Sequence, residues 1–120
     1  MKEVLLDTSS MLFALEHGVD IVTSIRDEFP GFVITVPYAA VAEMRKIAKT
    51  HTKNAGNARV MLLLITERKL NIDGKGTYAD EWILKNAFGK VVCTNDIKLK
   101  RKLNGLKIRV VSVAVSGRIR

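Results

Sequence analysis

A chain of 120 residues has room for one domain with its own hydrophobic core and too little for two of ordinary size. The single Cys93 rules out an internal disulfide, and no apolar stretch approaches the roughly 20 residues of a membrane span. The apolar run after Lys2 stops at Asp7, so no secretory leader is expected and the reading is a soluble, cytoplasmic protein. Lys and Arg number 20 against 12 acidic residues, a formal charge of +8 that favours an anionic partner, nucleic acid ahead of a membrane surface.

Glu3 to Leu6 reads as a short buried strand, ending on the polar run Asp7, Thr8, Ser9, Ser10. Met11 to Glu16 reads as a helix stopped by Gly18. Asp20 caps a second, with Ile21, Val22, Ile25 and Phe29 at helical spacing and Pro30 and Gly31 at its end. Phe32 to Val36 is rich in β-branched residues and forms the next strand. Pro37 suits the first position of a third helix running to about Ala48. There Ala40, Val41, Met44, Ile47 and Ala48 make an apolar face, Arg45, Lys46 and Lys49 point away, and Glu43 lies on the boundary.

Thr50 to Asn57 reads as a polar loop. Ala58 to Arg68 is a helix so apolar across Met61 to Ile65 that it is either central to the core or shared with a second copy, which makes a homodimer one expectation. A short strand, Leu70 to Ile72, precedes a flexible segment, Asp73 to Thr77, whose Gly74, Lys75 and Gly76 lack the rest of a phosphate-binding loop. Tyr78 to Phe88 is a helix with Asp80 in its first turn and Gly89 just beyond. The strand Lys90 to Cys93 leads into Thr94, Asn95 and Asp96. A basic helix follows, Ile97 to Leu103, ended by Asn104 and Gly105; Ile108 to Val113 is the last strand and Ser116 to Arg120 a frayed basic tail.

Strands alternating with helices imply an α/β fold: a mostly parallel sheet of about five strands, flanked by helices in three layers, over a domain of 1–115 with a tail of 116–120. Strand C-termini then share one edge, so Asp7 and Asp96 emerge together and the helix after Pro37 brings Glu43 within reach. Asp80, at the start of a helix that precedes a strand, is not placed by this argument.

Four short motifs, LLDTSS, AEM, ADEWI and TND, together with GVDI and the basic LKRKL, resemble in order and spacing the PIN domain family. The resemblance is to compact archaeal members related to processome endonucleases that mature ribosomal RNA. It implies a metal-dependent endoribonuclease in which Asp7, Glu43, Asp80 and Asp96 are catalytic and hold Mg²⁺ or Mn²⁺. Hard cations of this kind prefer carboxylate oxygens, and bare carboxylates about 4 Å apart repel by about 4 kcal/mol at an effective dielectric of 20. It also implies that Thr8, Ser9, Thr94 and Asn95 hydrogen-bond the carboxylates or metal waters; Ser9 stands where many members have Asn.

RNA, in single-stranded regions, is expected on two basic rims, Lys98, Lys100, Arg101, Lys102 and Arg45, Lys46, Lys49, Lys53. Rival readings are a toxin-type ribonuclease with an antitoxin partner, a non-cutting ribosome assembly factor, and a phospho-receiver domain, which needs an acidic pair after the first strand where only Asp7 stands. Each aspartate also suits a helix cap. His17 and His51 read as surface residues and Cys93 as a small strand hydrophobe. Trp82 and Tyr38 fit the core better than base stacking.

Overall fold

The structure, a computed structural model, describes residues 2–76 and 78–120. In chain order the elements are β1 (Glu3–Leu6), α1 (Thr8–Glu16), α2 (Ile21–Glu28), β2 (Val33–Pro37), α3 (Tyr38–Ala48) and α4 (Asn54–Glu67). Then come β3 (Asn71–Asp73), α5 (Ala79–Asn86), β4 (Val91–Cys93), α6 (Ile97–Gly105) and β5 (Arg109–Val111). The five strands form one all-parallel sheet in the order β3-β2-β1-β4-β5, with β1 central.

Alternation along the strands decides the layers. Val4 and Leu6 of β1, with Ile34, Val36, Val91 and Cys93, pack under Met11, Ala14, Ile25, Met44 and Met61 from α1 to α4. Leu5 and Val92 face the other way, onto Trp82, Ile83, Leu99 and Leu103 of α5 and α6. Helices therefore cover both faces, and β1 is buried without alternation in polarity, as a central parallel strand must be.

The boundaries differ from the sequence reading in several places, among them α1, which starts at Thr8 rather than Met11. Pro37 ends β2 and caps α3 rather than entering it. The expected loop at 50–57 closes early, because α4 already begins at Asn54 and buries Ala55. Asn104 and Gly105 belong to the last turn of α6.

The segment expected to be flexible starts inside β3 at Asp73; Thr77 lies outside the described residues. Gly74, at φ +82°, lies against the Trp82 indole so closely that a Cβ would come within 2.5 Å of it. Finally, the tail is folded. Val113 and Ile119 form an antiparallel bridge, Arg120 N–H donates to the Ser112 carbonyl, and Ile119 is buried.

Candidate active site

Asp7 follows directly on β1, whose last residue, Leu6, is in register with Cys93 of β4. Asp96 lies three residues past Cys93, so parallel pairing carries both aspartates to one edge. Glu43 comes to that edge on the second turn of α3, which leaves β2 there. Asp80, unplaced by the sequence, is explained by β3: it pairs parallel to β2, so its end lies at the same edge, and α5 starts from that side. Asp7, Glu43, Asp80 and Asp96 line one cleft of about 230 Å³ with Thr8, Ser9 and Leu12.

Asp7 is 5 % exposed and held from behind. Ser9 Oγ and Thr94 Oγ1 each donate to its Oδ2 at 2.7 Å. Those hydroxyls in turn accept from the Asn95 and Asp96 backbone N–H groups, both at 3.1 Å, which directs their protons at the carboxylate. Ser10, named in the polar run after β1 but given no role of its own, ties the first turn of α1 to β4 by donating to the Asp7 and Cys93 carbonyls.

Asp96 caps α6: its Oδ1 accepts from the Lys98 and Leu99 N–H groups at 2.8 and 3.2 Å. One oxygen of each aspartate is thus fixed by protein donors. Asp7 Oδ1 and Asp96 Oδ2 accept none among the described residues.

Asn95 departs from expectation. Its side chain turns from the carboxylates to exchange two hydrogen bonds with the Val113 backbone, and only its N–H supports the site, through Ser9. Thr8 also differs, since its buried Oγ1 has no hydrogen-bond partner among the described residues, although the residue lines the cleft.

Partial burial, then the charges of Asp7 and Asp96, push the Asp80 carboxyl above its usual range, while Lys102 pulls it down. The cleft is therefore electrostatically loaded. Among the described residues no three His, Cys, Asp or Glu side chains are arranged to close on one ion as they stand. The donors nevertheless suit a hard divalent cation: every polar side chain lining the cleft is a carboxylate or a hydroxyl, two aspartate oxygens are free, and one buried hydroxyl lacks a partner. Glu43 and Asp80 are exposed and have side-chain freedom to adjust.

A model of the family described as PIN like domain matches residues 4–115. The chain belongs to this family. Among solved structures it is similar to the PIN domain endonuclease Utp24, at 24 % identity and a TM-score of 0.80, covering 98 % of this chain and 89 % of that one. A domain of a functionally unknown protein from Methanocaldococcus jannaschii matches at 17 % identity and TM-score 0.67, covering 95 % of this chain and 92 % of that one. VapBC-1 from nontypeable Haemophilus influenzae matches at 15 % and 0.62, covering 90 % and 96 %. No protein of curated function matches. At these identities the likeness is one of fold, a fold that nucleases use.

On this PIN-like frame the basic rims are unequal. Lys98, Arg101 and Lys102 are exposed on α6, with Lys102 close enough to act on Asp80. Lys100 is instead committed inward: its Nζ donates to Ser112 Oγ at 2.7 Å, and that hydroxyl donates to the Thr94 carbonyl. On α3, Lys46 lies one turn from Glu43 and lines an adjoining groove with Tyr78, which is 80 % exposed. Arg45, Lys49 and Lys53 are exposed, and Lys53 Nζ is 4.0 Å from Glu16. The sequence reading weighed Trp82 and Tyr38 for base stacking and missed Tyr78. Trp82 is buried against Gly74, and the overlooked signal was a tyrosine two residues after Gly76, at the N-cap of its helix rather than within it.

Proposed function

We propose that this PIN-like domain is a divalent-metal-dependent endoribonuclease that hydrolyses RNA phosphodiesters at Asp7, Glu43, Asp80 and Asp96, in the processing of ribosomal RNA. The observation that carries the reading is the convergence of four carboxylates, delivered from four separate segments, on one cleft of a chain whose formal charge is +8. Bound Mg²⁺ or Mn²⁺ supplies an activated water and charge stabilisation on the phosphoryl oxygens. Asp7 and Asp96 would hold the ion through their free oxygens, with Glu43 and Asp80 completing the set, while Ser9 and Thr94 keep the Asp7 carboxylate oriented. Lys102, Lys98, Arg101 and Lys46 hold the RNA backbone beside the cleft. The ribosomal assignment rests on the motif resemblance to processome endonucleases.

The test is cleavage of a structured RNA with single-stranded regions in Mn²⁺, Mg²⁺ and EDTA. Cutting is expected with either metal, to stop in EDTA, and to fall about 100-fold or more in Asp7→Asn and Asp96→Asn, because several kcal/mol of charge stabilisation is lost. Variants that cut like the native chain refute the site.

The fold shared with VapBC-1 favours a second reading, a toxin ribonuclease with an antitoxin partner, which an adjacent antitoxin gene distinguishes. Exposed Val60 and Leu63 on α4 support a homodimer through that helix, and a monomeric mass by light scattering at working concentration excludes it.

A further inference from the structure

The sheet edge opposite the carboxylates carries a second concentration of chemistry. A cavity of about 450 Å³ opens there, larger than the acidic cleft. Lys2 lines it from just before β1, Phe32 from just before β2, Phe88 and Lys90 from before β4, and Lys107 and Arg109 from the start of β5. Parallel strands put all these amino-terminal ends on one side, a full strand length from the cleft.

The charges are not balanced locally. Glu3 pairs with Lys90 at 3.1 Å, whereas Lys2, Lys107 and Arg109 have no carboxylate partner among the described residues. Lys2 and Arg109 lie instead over phenylalanine rings, Phe32 at 5.7 Å and Phe29 at 5.0 Å. Phe88 is 64 % exposed. Lys107 sits at φ +61°, in the turn after α6, where glycine is the easier residue; the chain holds a cation in a conformation that does not favour it. Uncompensated cations interleaved with an exposed ring match a strand of phosphates with unpaired bases. An acidic peptide would satisfy the charges but leave the ring unused.

We propose that this edge is a second RNA-binding surface, in which Lys2, Lys107 and Arg109 take phosphates of single-stranded RNA and the Phe88 ring stacks a base. It engages a part of the strand remote from the cleft and does not need the cleft to cut. A long RNA therefore reaches both edges, and a short one fills only one.

Fluorescence-anisotropy titrations in EDTA test it, with uridine oligonucleotides of about 6 and about 30 nucleotides. The chains compared are the native one, Phe88→Ala, Lys107→Gly, and Lys2→Glu combined with Arg109→Glu. For the long RNA, Phe88→Ala is expected to bind about tenfold more weakly. The slope of log affinity against log salt should shrink by about 0.7 for each phosphate no longer neutralised, about 0.7 in Lys107→Gly and about 1.4 in the double variant. Lys107→Gly should melt no lower than the native chain, since glycine relaxes the left-handed position, so a drop in affinity there is not a loss of fold. Long-RNA affinity and salt slope unchanged in all three edge variants overturn the proposal and leave the cavity to a protein partner. Failure of the chain to cut RNA leaves this binding readout untouched.

Discussion

At the scale of single residues, Asp96 caps α6 and is proposed as a metal ligand, two roles that substitution separates. As the cap of α6 it uses one oxygen, and asparagine caps as well as aspartate does. Asp96→Asn is therefore expected to keep stability within about 0.5 kcal/mol, whereas Asp96→Ala costs about 1 kcal/mol, as read by urea denaturation. Both should lose cleavage. An Asp96→Asn chain that unfolds early yet still cuts would make the residue a cap alone. Gly74 is constrained twice, by φ +82° and by the Trp82 ring. Gly74→Ala should cost about 2 kcal/mol or more, measured the same way, against a few tenths for a mobile loop. Asp7 and Asp96 were legible because an acidic residue after an apolar strand is a visible pattern, and Glu43 because it sits on the edge of an apolar helix face, whereas Asp80 was singled out by the motif resemblance alone. The rotation of Asn95 toward Val113 and the inward commitment of Lys100 were not, because both depend on which loops meet across the sheet edge.

At the scale of elements, the end of the chain is the instructive miss. Its arginines and serine suggest a solvated tail, yet Val113 and Ile119 flank a turn at Ser116 and Gly117, where Gly117 adopts φ +86°. That is a minimal hairpin signal, too short to register as a strand pair. Ile119 is 7 % exposed, so Ile119→Ala is expected to destabilise by about 2 kcal/mol. An unchanged urea midpoint would mean the tail contributes no packing.

Asp20 joins two helices: it caps α2 through Thr23 and accepts from Arg68, after α4, at 2.8 Å. Burial raises its carboxyl, but the Arg68 and Thr23 hydrogen bonds outweigh that and leave it below 3.8. With the folded-state value depressed, the link stabilises above pH 3.8 and is lost as pH falls through the folded value. The two side chains are 32 % and 39 % exposed, enough for solvent to screen the pair, so the contribution is under about 1 kcal/mol. Removing it in Arg68→Ala should flatten the acid limb of the stability curve below about pH 4; an unaltered limb would assign acid sensitivity elsewhere.

At the scale of the whole molecule, the fold class, the parallel sheet and the shared edge for Asp7 and Asp96 follow from alternating apolar strands and helices. Strand order does not, because nothing in a short strand such as Asn71–Asp73 announces its neighbour. Yet that neighbour decides where Asp80 goes. The resulting molecule is basic overall and acidic in one cleft. Its folding must hold Asp80 near Asp7 and Asp96 against repulsion, and the Asp80 carboxyl is raised first by partial burial and then by those two charges. A ligand that binds only the folded state and neutralises this cluster must stabilise the chain.

At a concentration of about 100 times its dissociation constant, Mn²⁺ should add about 2.7 kcal/mol, which for a domain of this size raises the melting temperature by about 10 °C. The combined Asp7→Asn and Asp96→Asn variant relieves the repulsion in advance. It should melt no lower than the native chain without metal and gain almost nothing when metal is added. Scanning fluorimetry at constant ionic strength reads both numbers. An equal Mn²⁺ shift in the two chains would place the ion outside the cleft, and no shift in either would leave the four carboxylates as caps and solvated charges that merely share an edge.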